Sequence, residues 1–254
     1  MSGKINKLLL LALPLALAAC GGGGGDNPAA DNNKPQNQNN NSAQPDDGVT
    51  YTGVMFNAKG ERAPTTGRSK FVLNDGKVQY QLPRSSQGAT QQGNLLIYGS
   101  ATGKGGHYTA PDGKSYESFQ LSNNLYYYSQ FGVAKPVDGE IGGFYRGVAV
   151  SNMPTSGSAT YKGDAIVGLW SGDNFNRTEA GTVQANADFA GKKLAISLAS
   201  PSYKGNINAN IEGSNFSGKD GSKNTIGSFY GPNAEELGGT YDDNNTTAVF
   251  GARR

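Results

Sequence analysis

The 254 residues include 38 glycines, 13 tyrosines and 10 phenylalanines, but one cysteine and one histidine. That composition excludes a disulfide-stapled scaffold and leaves a single imidazole for any nucleophile–histidine pair. The formal charge of +2 comes from Lys4 and Lys7 near the start; the remainder is balanced and gives no electrostatic case for nucleic-acid binding. Glycine at about twice its usual ~7% share, with few segments of helical period, points to an all-β chain rich in turns.

In chain order, two lysines precede the apolar run Leu8 to Ala19, which Pro14 interrupts. A bilayer-spanning helix needs about 20 residues, so this run reads as a secretory signal over residues 1–19. Leu17-Ala18-Ala19-Cys20 resembles the bacterial lipobox, which implies diacylglyceryl transfer to Cys20 and cleavage before it. The plainer alternative is an ordinary signal peptide beside a chance cysteine. Residues 20–48 then run through Gly, Asn, Gln, Asp and Pro with almost no apolar side chain. Such a stretch cannot bury enough surface to offset its ordering entropy, and it reads as a flexible linker between lipid and folded chain.

Alternation begins at Tyr51. Val78, Tyr80 and Leu82 alternate with Lys77, Gln79 and Gln81, and Asn74-Asp75-Gly76-Lys77 before them is a hairpin signal. Pro111-Asp112-Gly113-Lys114 reads as a second turn. Strands are expected near 93–99, 115–121, 125–134 and 140–150, which makes residues 49–152 a small β-rich domain. Met153-Pro-Thr-Ser-Gly157 breaks the pattern and marks the entry to a second domain, 153–254. There Ala159, Tyr161, Ala165, Val167 and Leu169 share one face. Val183, Ala185, Ala187 and Phe189 repeat the period, as do Leu194, Ile196 and Leu198, then Ile207, Ala209 and Ile211. Shorter segments near 214–218, 224–231, 237–242 and 246–252 bring the number to about eight. Eight antiparallel strands on short turns suit a closed barrel whose interior is filled by side chains. Its polar face of Thr, Asn and Gln argues against a porin, whose outer face is apolar. Pro232-Asn-Ala-Glu-Glu-Leu237 reads as one helical turn with Pro at its first position and Gly238-Gly239 ending it. Glu235 and Glu236 are expected in solvent, and Leu237 against one barrel mouth.

The closing stretch "GSFYGPNAEELGGTY…AVFGARR" (227–241 and 248–254) resembles the end of the β-barrel domain of transferrin-binding protein B and related surface lipoproteins of Gram-negative bacteria. "MPTSGSATYKG" (153–163) looks like the entry to that barrel and "ANADFAGKKLAISL" (185–198) like its middle strands. Residues 50–152 match in layout alone, as a β-rich handle domain before the barrel. The resemblance implies an all-β lobe, a small handle followed by an eight-stranded antiparallel β-barrel. It implies a lipoprotein on the outer face of the outer membrane, exported by a surface-lipoprotein translocator. It further implies binding of haem, a haemoprotein or another host protein, and delivery of the iron source to a TonB-dependent transporter. Larger members have two handle–barrel lobes and bind transferrin or lactoferrin; this chain has the length of one. Single-lobe relatives include haemoglobin-binding co-receptors, haemophores and binders of complement regulators.

Chemistry is sparse. Gly103-Lys-Gly-Gly106 lacks the strand–helix setting of a phosphate loop, clustered His/Cys metal spacing is absent, and nothing selects a pair of acids for glycoside cleavage. The chain reads as a binder and not as an enzyme; a small hydrolase is the reading of last resort. His107, in a glycine-rich loop beside Tyr108, is the candidate haem ligand, because imidazole and phenolate can both bind haem iron; an unremarkable surface histidine is the alternative. Tyr126, Tyr127 and Tyr128 form either strand packing or an aromatic patch for a protein partner. The two function classes that follow are capture of a host iron source, and binding of a host immune or matrix protein of the complement-regulator or adhesin type.

Overall fold

The computed structural model describes residues 48–58, 61–67, 72–74, 79–83, 86–99, 107–110, 113–172 and 174–254. The leader, Cys20 and the linker up to residue 47 lie outside them, as do the turn residues 75–78 and 111–112 and the glycine loop 103–106. The described residues are all strand, turn and coil.

Ten strands precede residue 149: β1 (Tyr51–Asn57), β2 (Arg62–Gly67), β3 (Val72–Asn74), β4 (Gln79–Gln81), β5 (Thr90–Gln92), β6 (Leu95–Gly99), β7 (Tyr108–Thr109), β8 (Ser115–Ser122), β9 (Ser129–Pro136) and β10 (Gly142–Val148). They form one antiparallel sheet in the order β2-β1-β10-β9-β8-β6-β5, with β7 paired to β8 and a separate β3–β4 ladder. The ladder pairs Asn74 with Gln79, as the Asp-Gly hairpin signal predicts. The second predicted turn closes through Ala110 N donating to the Lys114 carbonyl at 2.8 Å, with Gly113 at φ 83°.

Eight further strands follow: β11 (Ser158–Ser171), β12 (Asn174–Asp188), β13 (Lys193–Ala199), β14 (Lys204–Glu212), β15 (Asn215–Asp220), β16 (Lys223–Tyr230), β17 (Glu236–Asp243) and β18 (Thr246–Arg253). β18 pairs back onto β11, and the barrel is closed. The expected inward residues Tyr161, Val167, Ala185, Leu194, Ile196 and Ile207 are buried in one core, together with Phe216, Phe229, Tyr241 and Phe250. Aromatic rings fill the interior, with Phe216 against Phe229 at 5.8 Å and against Phe250 at 6.4 Å between centroids. The alternate positions of β13 and β14 are exposed and, apart from Ala195, polar, the reverse of a membrane-spanning barrel.

On β11, β17 and β18 that alternation is lost, and runs of five or six consecutive residues are buried. Their outward side chains lie beneath the handle sheet. Leu95, Phe131 and Tyr145 of the handle join Ile166, Tyr230 and Val249 of the barrel in a shared apolar cluster. The other face of the handle sheet has its own core of Tyr98, Tyr116, Phe119, Leu121 and Phe144. A register shift between Tyr116 and Ser118 turns Ser118, Gln120 and Ser122 toward the barrel side, opposite Phe119 and Leu121.

The late turn is not helical. Gly231 at φ 83° and Ala234 at φ 60° are both left-handed, so no helical run spans them. Residues 231–234 form a tight turn, and β17 starts at Glu236. Gly238 and Gly239 pair with Ser228 and Gly227 in the barrel wall instead of ending a helix. Leu237 is fully buried in the barrel core. Glu236, expected in solvent, is 2% exposed.

Candidate binding surface

The reason for burying Glu236 lies in the loop between β8 and β9. Residues 123–128 are not strand; β9 begins at Ser129, four residues later than the alternation suggests. The loop arrives at the barrel with backbone N–H groups that have no ladder partner, and the carboxylate accepts them. Tyr127 N donates to Glu236 Oε1 at 2.7 Å, Tyr128 N to Oε2 at 3.2 Å, and Ser129 Oγ to Oε2 at 2.6 Å. Charge-assisted bonds of this kind are about twice as strong as neutral ones.

A second carboxylate grips the same loop. Tyr126, 1% exposed, donates its hydroxyl to Asp164 Oδ2 at 2.6 Å and to the Gly251 carbonyl at 3.1 Å, and accepts from Asp164 N at 3.0 Å. Burial pushes its phenol far above the ordinary tyrosine range, and the Asp164 hydrogen bond and charge push the same way. Asn94 Nδ2 donates to the same Asp164 oxygen at 2.9 Å, and Gln120 Nε2 reaches Thr178 Oγ1. At the sheet edge Arg62 pairs with Asp242 at 3.1 Å. Close approach also needs glycine: a methyl on Gly147 would overlap the Tyr230 ring, and one on Gly251 would sit 2.5 Å from the Phe131 ring.

The three adjacent tyrosines therefore divide. Tyr126 is a joint residue, Tyr128 is half-buried at the joint, and Tyr127 is 46% exposed. Leu125, which the sequence reading did not single out, is 41% exposed beside it. Elsewhere in the handle, His107 is exposed at the edge of the undescribed glycine loop. Tyr108 is half-buried, its ring 4.8 Å from Tyr98 and 6.1 Å from Phe119. Burial pushes the Tyr98 phenol up to about 12, with Tyr108 adding to the rise. The structure thus keeps His107 and the Tyr126–Tyr128 loop in separate places: one beside the handle's own core, the other against the barrel.

Among the described residues no group of three His, Cys, Asp or Glu side chains is placed to hold a metal. A shallow open depression beside Lys204 and Lys223 on the outside of the barrel holds no convergent set of acids or bases. The features on offer are surfaces, with a rigid joint behind them.

The barrel can be compared directly with known proteins. Residues 153–254 match the family model described as the C-lobe and N-lobe β-barrels of transferrin-binding protein B. The barrel region is similar to that family. A Haemophilus influenzae protein described as uncharacterized is 41% identical over 121 residues, 44% of this chain and 42% of its own length. Among solved structures, isotype 1 transferrin binding protein B from serogroup B Neisseria meningitidis superposes with a TM-score of 0.59 at 17% identity, over 81% of this chain and 43% of that one. The protein of the same name from Haemophilus parasuis Hp5, a double mutant, gives 0.55 at 20% identity, over 80% and 44%. These two superpositions show a shared fold that extends beyond the family-matched barrel into the handle. The chain spans less than half the length of each of these relatives.

Proposed function

We propose that the chain is a non-enzymatic, lipid-anchored surface lipoprotein of the outer membrane that binds a host iron source, a haemoprotein or haem, and delivers it to a partner outer-membrane transporter. The observation that carries this reading is the family match of residues 153–254. The barrel interior, filled by aromatic side chains, supports recognition on the outer surface and not inside the cylinder. The iron-source part draws on His107, exposed and next to an aromatic cluster that could bound one face of a flat macrocycle. Haem iron would take the His107 imidazole as an axial ligand, with Tyr108 as the neighbouring ring or second donor.

The test is a titration of the purified chain with haemin and with haemoglobin, read by the Soret band and by co-precipitation. A Soret shift lost in His107→Ala supports direct haem ligation; co-precipitation of haemoglobin that survives the substitution supports a haemoprotein partner. Silence in both assays overturns the iron-source reading. A second reading takes a host immune or matrix protein as the partner. That reading predicts growth on haem unaffected by deletion of the chain, with altered serum survival or adhesion.

A further inference from the structure

Among the described residues the exposed large hydrophobics are Leu125 and Tyr127. Their backbone is held firmly: Leu125 N donates to Asn123 Oδ1 at 2.9 Å, the Leu125 carbonyl accepts from Arg253 Nη1 at 3.3 Å, and Tyr127 N is bound by Glu236. The two side chains are thus presented to water from a hydrogen-bonded loop.

Cations lie at the same end of the barrel. Arg253 reaches the loop directly, Lys162 pairs with Arg253 across β11 and β18, and Arg254 donates to the Asn233 carbonyl at 2.6 Å. Two acids lie here: Glu235 accepts from Asn233 N and Nδ2, and Glu236 is buried on the backbone of Tyr127 and Tyr128. The same end is where the chain leads back toward its N-terminus. Tyr51, the first residue of β1, pairs with Val148, and Val148 N donates to the Tyr128 carbonyl at 2.8 Å. The segment leading back to Cys20 therefore leaves one strand away from the Tyr127–Tyr128 backbone.

We propose that Leu125, Tyr127, Lys162, Arg253 and Arg254 form a docking surface for an anionic lipid bilayer, used while the chain is anchored to that bilayer. The inference rests on the reading of Cys20 as acylated. Two apolar anchors on an open surface are too few for a free protein partner, whose stable interface needs about 1,200 Å² or more. They suit a bilayer, where leucine and tyrosine enter the headgroup boundary and each nearby cation strengthens attachment by roughly fivefold. Such contacts are weak alone but become effective once an anchor confines the domain near the surface. The 28 residues between Cys20 and Val49 are enough chain for the lobe to lie on the lipid or to reach away from it. The patch favours lying down, with the barrel mouth around Gly172 and Asn244 facing outward.

The chain supplies its own chemistry for a test, having one cysteine and one tryptophan. The chain from Cys20 onward is coupled through that thiol to maleimide lipid in vesicles of phosphatidylcholine, with or without phosphatidylglycerol, containing brominated acyl chains. Tyr127→Trp in a Trp170→Phe background reports contact. Quenching is expected with phosphatidylglycerol, several-fold weaker without it, and several-fold weaker after Lys162→Gln with Arg254→Gln; native Trp170, at the opposite mouth, stays unquenched. Unchanged emission at position 127, equal quenching without anionic lipid, or quenching of Trp170 instead would each overturn the proposal. So would emission that ignores vesicles but shifts with a soluble acidic protein such as serum albumin, which would assign the patch to a protein. The coupling supplies the anchor chemically, so failure here sinks docking alone. An unmodified Cys20 in mass spectra of the native chain would sink the anchoring reading separately.

Discussion

The barrel wall far from the handle and the joint beneath the handle belong to one barrel but are held by different forces. On β13 and β14 each buried apolar residue alternates with an exposed one, polar except at Ala195, and the stabilisation is almost wholly the interior burial of Leu194, Ile196, Ile207 and their ring partners. At the joint, apolar burial of Ile166, Tyr230 and Val249 is interleaved with two nearly buried carboxylates, Asp164 and Glu236, whose acceptor oxygens are taken by handle donors. The lesson is that the core resists through packing and the joint through hydrogen-bond satisfaction. An apolar contact loosens gradually, whereas a buried donor left without its acceptor costs its full desolvation.

This contrast can be broken most forcefully in the core. Phe250→Ala removes a fully buried ring packed on Phe216 and is expected to cost about 3–5 kcal/mol, lowering the denaturant midpoint of the whole molecule. Glu236→Ala leaves Tyr127 N, Tyr128 N and Ser129 Oγ without their acceptor and is expected to cost about 2–4 kcal/mol. Hydrogen exchange separates the two cases: Glu236→Ala should speed exchange at residues 123–130 and leave β13 and β14 protected, while Phe250→Ala should expose the barrel throughout.

A third test uses pH. The β12–β13 ladder begins at the Thr182–Ala199 pair, and Glu179 lies just beyond it. There it accepts from Ser200 Oγ, Ser202 N and Oγ, and Arg177. Burial alone would raise its carboxyl, but these hydrogen bonds, led by Ser202 and Arg177, outweigh it and hold the group at about 2. A lowered pKa stabilises the fold above the unfolded value of 4.5, and the benefit fades as pH falls toward 2. Glu179→Gln should therefore lose about 1–3 kcal/mol at neutral pH, with the gap to the native chain closing between those limits in pH-dependent unfolding curves. The smallest effect belongs to Tyr127→Ser, expected within about 0.5 kcal/mol because the side chain is exposed and its backbone bond is retained.

The same contrast explains what could be read from the sequence. The barrel was legible because one buried face against water imposes period two, and Val183 to Phe189 and Ile207 to Ile211 display it without interruption. The joint was not, because both faces of a strand are buried there. Ile166 and Val249, apolar between apolar neighbours, are the residual signal. Glu236 carried no such signal: a charged residue beside a turn ordinarily faces solvent, and the donors that bury it come from a loop more than a hundred residues earlier. The loop itself was misread as strand because three tyrosines favour strands in isolation, whereas here Tyr126 is spent on Asp164. The helical turn failed for a backbone reason, since Gly231 and Ala234 both adopt positive φ. His107 and Tyr108 were findable by composition, but their separation from the Tyr126–Tyr128 loop depends on tertiary structure.

The proposal that this lobe recognises a host iron source is tested most directly by calorimetric titration of the chain from Cys20 onward with haemoglobin and haemin in turn. Saturable binding to one of the two, unchanged in stoichiometry when the barrel interior is perturbed by a conservative Phe250→Leu, is the expected result. Heats indistinguishable from dilution for both, with the protein folded throughout, would contradict it.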